Sequence, residues 1–411
     1  MLRKSFSAIV IVVGILLSAF STMRLFAHAS GMVTSDVSPG QFPNKQDFVN
    51  WQRRAFSKAR WWGSFPHNLK VPANEFATYP WAVGPFTKYT GNPVLRPSHT
   101  PGAWDQGCFN NGGGVHNGAI IVKGGKFYYI YRGTRPLTDP QNRAVNYICN
   151  IGVAVSKDGI HFKKDSAVSP IFRKGYRRYS YEDPDVSEYK GTYYLFCNQW
   201  DWNNMGDHKI NGTFLATSKD LLHWKKIGIV FPDSRRLHRN AVVLQSPHNR
   251  AIRVHGKFVM YLDNGLVAYS KNMRHWVTRR RRLHYPGGEV CFALGNYARR
   301  HRNRIVLFTG GHFTGHYYAI GEVLFSKKNL AQPLAYLPAP VLTANPKIPY
   351  ENGFSASEPT KAVSSFDDTI FFTGLTRHDG KWWIYYGGSE YYTCLATAPA
   401  DTRRHEGINP K

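Results

Sequence analysis

Apolar residues recur along this chain in short bursts, each opened by a turn. They read GKFYYIY at 125–131, GTYYLF at 191–196, GKFVMY at 256–261, NRIVLF at 303–308 and GKWWIY at 380–385. A turn glycine followed by aromatic and β-branched residues predicts a hairpin arm each time. A second pattern follows: AVSKDGIHF at 154–162, ATSKDLLHW at 216–224 and AYSKNMRHW at 268–276, with weaker forms VLFS at 323–326 and LATA at 395–398. Strand, turn, strand, then Ser-x-Asp with an aromatic, repeated five times at roughly 50 to 75 residues, predicts β-propeller blades. A single hairpin cannot bury its own face, so neighbouring blades must stack. The repeated Ser, Asp and aromatic are read as a turn and plug on the outer strand.

The ends of the chain lack this period. Residues 1–29 combine Arg3 and Lys4, an apolar run over 8–20, and Ala27-His28-Ala29 before Ser30, the order of a secretory signal. The apolar run is short and Arg24 follows it, so no stable membrane span is expected once the signal is removed; an uncleaved anchor is the alternative. The expected location is secreted or periplasmic. Residues 30–90, rich in Pro, Trp and basic side chains, are read as an irregular arm packed on the propeller, with a short helix over 47–59. Residues 91–400 form the propeller domain and 401–411 a tail. The fold class is all-β: a five-bladed β-propeller with an N-terminal irregular arm.

Composition adds two constraints. The 411 residues include 53 Lys and Arg against 26 Asp and Glu, a net charge of +27. That surface suits an anionic envelope or polysaccharide; nucleic acid is disfavoured, because no zinc knuckle, helix-turn-helix or RNP-like run accompanies the charge. Five cysteines lie far apart with no C-x-x-C, so an odd count allows at most two disulfides within the chain.

One stretch breaks the repeat. SYEDPDVSEYKGTYYLFC, at 180–197, sets Glu182, Asp183 and Asp185 ahead of a strand that every blade repeats. No other blade repeats the acids. Pro184 lacks an N–H and is expected at the start of a strand. In a propeller the innermost strands begin at the upper mouth of the channel, where unlike residues from different blades converge.

With GNPVL at 91–95, NGAII at 117–121, YIYR at 129–132, EDP at 182–184, Tyr350-Glu351 and WIYYG at 383–387, the chain resembles the five-bladed propeller glycosidases. Among them it is most similar to glycoside hydrolase family 130, the β-mannoside phosphorylases and β-mannosidases, and more distantly to family 43. The resemblance covers about residues 90–400 and rests on the order of the motifs. It implies an enzyme acting on an oligo- or polysaccharide, with no cofactor. Departures from the family pattern favour hydrolysis over phosphorolysis. Where phosphorylases follow E-D-P with Arg stands Asp185; Asn211-Gly212-Thr213 replaces a second Arg; Tyr261-Leu262-Asp263 replaces a His. A phosphate site needs clustered donors and positive charge. The general-acid Asp expected after Y-R is also missing, the nearest carboxylate being Asp139.

Glycoside cleavage needs a proton donor and a base or nucleophile. Asp183, Glu289 and Glu182 are the catalytic candidates. Because successive strand residues face opposite ways, Asp183 is expected in the channel and Glu182 against neighbouring blades. Glu289, after Gly287 and Gly288, opens the inner strand of the fourth unit. Binding candidates are Trp104 as a stacking platform, Asp105, Asn117, Arg132, Asp263, His312 and Glu390. His312 and His316 stand in a glycine-rich loop, and no metal site is expected. The reading is a secreted, inverting glycoside hydrolase for β-mannosides or related glycans. The alternatives are a phosphate-dependent phosphorylase and a non-catalytic glycan-binding propeller.

Overall fold

The computed structural model describes residues 71–400, apart from 72–75, 77, 109–112, 138–146, 174–177, 202–203, 205, 208, 235, 263–264, 284–288, 299–300, 314–316, 338, 359–360, 365 and 367. The expected signal, the helix over 47–59, Asp139, Asp263, His316 and the tail lie outside the described residues. Among the described residues no helix is long and apolar enough to cross a membrane.

The chain forms a five-bladed β-propeller. Its first strand, β1 (Thr87–Lys88), belongs to the last blade. The first blade follows in order: β2 (Val115–Lys123), β3 (Lys126–Pro136), β4 (Tyr147–Ser156) and β5 (Lys163–Lys164). The second is β6 (Ser180–Tyr189), β7 (Thr192–Trp200), β8 (Gly212–Ser218) and β9 (Trp224–Ile229). The third has β10 (Val242–Gln245), β11 (Arg253–Val254), β12 (Lys257–Tyr261), β13 (Leu266–Ser270) and β14 (Trp276–Arg282). The fourth is β15 (Glu289–Gly295), β16 (Arg304–Phe313), β17 (Tyr317–Ser326) and β18 (Asn329–Tyr336). The fifth is β19 (Ile370–His378), β20 (Lys381–Gly388) and β21 (Tyr392–Pro399), completed by β1.

The repeated bursts are the second strands, β3, β7, β12, β16 and β20. Each packs an apolar face against a neighbouring blade: Tyr131, Phe196, Phe258, Phe308 and Tyr385 are wholly buried. Burying side chains of this size stabilises the fold by about 1.5–3 kcal/mol each. The Ser-x-Asp unit forms the turn after the third strand. Ser218 Oγ accepts from Leu221 N at 2.9 Å, Asp220 Oδ1 from His223 N at 2.8 Å, and Trp224 Nε1 donates to Leu221 O.

The inner strands β2, β6, β10, β15 and β19 pack side by side in a closed ring. β10 and β15 also hydrogen-bond in parallel, Leu244 opposite Ala293, so the third and fourth blades share one nine-stranded sheet. The ring is closed by β1, whose Thr87 and Lys88 pair with Thr397 and Ala396 of β21. The propeller therefore includes residues before the expected boundary at 91: the last blade needs an outer strand, and the N-terminal side supplies it. Val71, Phe76, Trp81 and Phe86 pack with Phe292, Ile320 and Phe372 of the last two blades.

The proline expectation is corrected. Pro184 lies in the middle of β6, at a register shift between Glu182 and Asp185. A bulge interrupts the ladder there, so the missing N–H costs no hydrogen bond.

Candidate active site

Four of the five inner strands carry a bulge: β2 at Asn117, β6 at Asp183 and Pro184, β15 at Cys291 and β19 at Thr373. Asn117 and Asp183 have left-handed backbones, φ 40° and 52°. Asn and Asp tolerate that region better than other side chains with a Cβ. Bulges re-aim side chains, and here they bring residues of several blades to one mouth.

Three donors converge on the Asp183 carboxylate. Asn117 Nδ2 donates to Oδ1 at 2.8 Å, Arg132 Nη1 to Oδ1 at 3.2 Å, and Asn198 Nδ2 to Oδ2 at 3.1 Å. Asn198 also contacts Asn240, whose N–H donates to Asn198 Oδ1 at 2.8 Å. Asp183 keeps 24% of its side-chain surface exposed, against 9% for Glu182. Asp183 is the more open of the two, through the bulge and not through simple alternation.

Glu182 is held from beneath. Trp200 Nε1 donates to Oε2 and Ser180 Oγ to Oε1, both at 3.2 Å, and Arg132 Nη2 lies 3.7 Å from Oε1. Burial pushes the Glu182 carboxyl up, with Arg132 acting against it. Arg132 is fixed in turn by its Nε bond to Cys149 Sγ at 3.2 Å. His116, wholly buried beside Asn117, is held neutral: burial and then Arg132 lower its pKa to about 3.

Glu390 reaches the same cluster from the β20–β21 turn. Its backbone is left-handed at φ 52°, and its carbonyl accepts from Gly114 N at 2.9 Å. Burial raises its carboxyl to about 7; Arg132 opposes the rise, while Asp183 and Glu182 add to it. A carboxyl half-protonated near neutrality is poised to give up a proton.

Glu289 starts β15 opposite Gly310. It lies two residues ahead of Cys291, which holds the bulge of that strand. Burial raises the Cys291 thiol, and the charges of Glu289 and Asp183 both add to it. Tyr318 of β17 is raised by burial, then by Glu390 and Glu289, with Arg239 opposing. Glu289, Glu390 and Arg239 are thus among the charges that act on Tyr318.

Trp104 and Asp105 are not in this cluster. Trp104 stacks on Tyr131 at 5.5 Å. Asp105 is buried, taken up by Ser98 Oγ at 2.5 Å, Tyr131 OH at 3.2 Å and Lys164 Nζ at 2.6 Å. Tyr131 and Arg132 point to opposite faces of β3, so Asp105 braces the face away from Asp183. His312 pairs with Tyr318 in the β16–β17 ladder, and its side chain lies outside the described residues.

Asp185 also differs from expectation. Its carboxylate accepts from Val243 N and Gln245 Nε2, both at 3.0 Å, tying β6 to β10, and burial raises its pKa to about 7. It is turned into the fold, against β10. Asn211 clasps a loop, donating to Asn204 O and Asp207 O.

Sequence reasoning missed Asn198, Asn240, Arg239 and Tyr318. A usable signal existed for Asn198. Counting seven residues from the turn at 125, 191, 256, 303 and 380 gives Arg132, Asn198, Asp263, Gly310 and Gly387. The first two meet on Asp183. At Gly310 a Cβ would come within 2.9 Å of the Phe371 ring. Among the described residues no group of three His, Cys, Asp or Glu side chains could hold a metal ion.

No protein-family model matches the chain. A 1,2-β-oligomannan phosphorylase of Thermoanaerobacter sp. (strain X514) is 24% identical over 311 residues, covering 74% of this chain and 93% of that protein. A β-1,2-mannobiose phosphorylase from Listeria innocua superposes with a TM-score of 0.57 at 17% identity, over 77% of this chain and 97% of the other. A structure described with the GH130 mannoside phosphorylases, a family containing hydrolases that target β-1,2-mannosidic linkages in Candida mannan, gives a TM-score of 0.60 at 22% identity, over 78% and 97%. These likenesses, the propeller and the carboxylate cluster at its mouth agree: the relatives of this chain are the mannoside phosphorylases and glycoside hydrolases of family 130.

Proposed function

We propose that the chain cleaves β-mannosidic linkages at the propeller mouth by phosphorolysis, with inversion. The observation that carries the glycosidic reading is the cluster of Asp183, Glu182 and Glu390 around Arg132. The phosphate acceptor is supported by likeness along 93% of an oligomannan phosphorylase. The inward turn of Asp185 answers one objection raised by the sequence, the repulsion of phosphate by that carboxylate, while the missing cations still favour hydrolysis.

In this reading Glu390 gives its proton to the leaving glycosidic oxygen as the bond to the anomeric carbon breaks. A phosphate oxygen forms the new bond from the opposite face, and mannose 1-phosphate leaves with inverted configuration. Arg239, whose charge acts on Tyr318, is the cation proposed to attract phosphate. Asp183, held by three donors, binds the sugar and faces the positive charge that develops on it. Glu289, across the rim, is the proposed base if water replaces phosphate.

Hydrolysis is the second reading, favoured by the absence of Arg after E-D-P and at residues 211–213. One experiment separates the two. Purified protein is given β-1,2-mannobiose with and without inorganic phosphate. Phosphorolysis predicts mannose 1-phosphate and no turnover without phosphate. Free mannose at a phosphate-independent rate would establish hydrolysis, and no turnover in either case would leave a binding propeller. The order of residues 1–29 supports export with a mature N terminus near Ser30; N-terminal sequencing checks this, and an intact Met1 in the membrane fraction would mean an anchor.

A further inference from the structure

Charge is unevenly spread along this propeller. Residues 234–288, which build the third blade, hold 12 Lys and Arg and one acid, Asp263. The other 356 residues hold 41 and 25. The asymmetry reaches into the repeated turn. In the first two blades Asp158 and Asp220 accept from the N–H groups two and three residues on, and each pairs with a His Nδ1 at 2.7 Å. In the third blade Asn272 makes the same turn, its Oδ1 accepting from Arg274 N and His275 N at 3.0 Å. The hydrogen bonding is kept and the negative charge is gone.

The position of these residues adds to the case. Lys271 and Arg274 are exposed on that turn, and Arg253 is pinned beside them, its Nη2 donating to Lys271 O at 3.2 Å and its guanidinium 4.7 Å over Phe258. The turn leads into β14, the outer strand of the blade, where Val277 is 68% exposed and Arg279 lies over Tyr269. A few positive charges protect an edge strand from pairing. That need does not call for removing the carboxylate from a turn that tolerates it in two other blades.

We infer that the outer edge of the third blade, from the turn at its end away from the mouth along β14, is a docking surface for an acidic polysaccharide. The choice of polymer rests on the glycan reading of the mouth. A chain carrying regularly spaced phosphates or carboxylates matches a row of cations from Arg253 and Arg274 to Arg279, and tethering raises the local concentration of its cleavable parts.

The test uses the full chain and a phosphate-bearing mannan beside neutral mannan. The double variant Asn272→Asp/Arg274→Leu rebuilds the SKDxLHW turn of the second blade, a sequence this fold already accommodates. A control, Lys126→Ser/Lys381→Ser, removes two exposed charges from the first and fifth blades. The native protein should bind phosphorylated mannan at least about tenfold tighter than neutral mannan, with the difference shrinking as salt rises. The turn variant should lose about tenfold in that binding, the control should lose little, and cleavage of β-1,2-mannobiose should be equal in all three. Equal losses in the turn variant and the control would overturn the inference, leaving only net charge. So would equally tight binding of duplex DNA or anionic vesicles. If no mannoside is cleaved but the binding pattern holds, the proposed function fails and the docking surface stands.

Discussion

At the scale of the residue, the proposed site rests on two carboxyls in contrasting settings. Asp183 receives Asn117, Arg132 and Asn198, while Glu390 is driven by burial to a pKa of about 7. Asp183→Asn keeps the shape and removes the charge. Turnover should fall by about two orders of magnitude or more, with the thermal midpoint little changed; full activity in this variant would remove Asp183 from the chemistry. As a proton donor, Glu390 must be protonated to act, so turnover should fall as pH rises through about 7. Glu390→Gln should lower turnover and abolish that fall. A pH profile of kcat identical to the native one would assign the step to another group.

At the scale of the element, the inner strands are held by side chains as well as by ladders. Asp185 links β6 to β10 through Val243 N and Gln245. Its carboxyl is ordinarily near about 4 in an unfolded chain and is raised to about 7 in the fold. Between those values the folded protein holds more proton than the unfolded one, so this group's contribution to stability falls as pH rises from about 4 to about 7 and is level beyond. Urea midpoints measured across that window should decline in the native protein and decline less in Asp185→Asn. An unchanged slope would show that Asp185 does not titrate there. The Ser-x-Asp turns belong to this scale too. Their Ser, Asp and Trp were legible because one hydrogen-bonding pattern recurs in the sequence wherever the same turn is needed.

At the scale of the whole molecule, stability depends on closing the ring. β1 joins β21, and Lys88 Nζ reaches Glu351 Oε2 at 2.6 Å and Thr343 O at 2.8 Å. Glu351 is wholly buried and also accepts from Tyr386 OH and Asn345 N. Lys88→Ala leaves that carboxylate without its cation, which should destabilise the protein by roughly 3 kcal/mol and lower the thermal midpoint. A change within experimental error would mean that the other donors suffice. Glu322 Oε2, accepting from Val83 N at 2.9 Å, fastens the segment before β1 to the fourth blade.

The sequence by itself determined what is local and repeated: the second strands, the turns after the third, the number of blades and the place of the acids ahead of β6. Alternation and turn chemistry act over a few residues, so they are written into adjacent positions. Aligning the repeats also places Arg132 and Asn198 in one register. The tertiary structure decided what meets what. Asn117 and Asp183 are 66 positions apart, and Asn198 and Asn240 are 42 apart; they touch because the inner strands close into a ring. It decided that Asp185 turns inward and that Asp105 braces the far face of β3, since those orientations follow from a bulge and a half-buried lysine. It also gave the last blade its fourth strand from residues 87–88, because a closed propeller needs its two ends side by side.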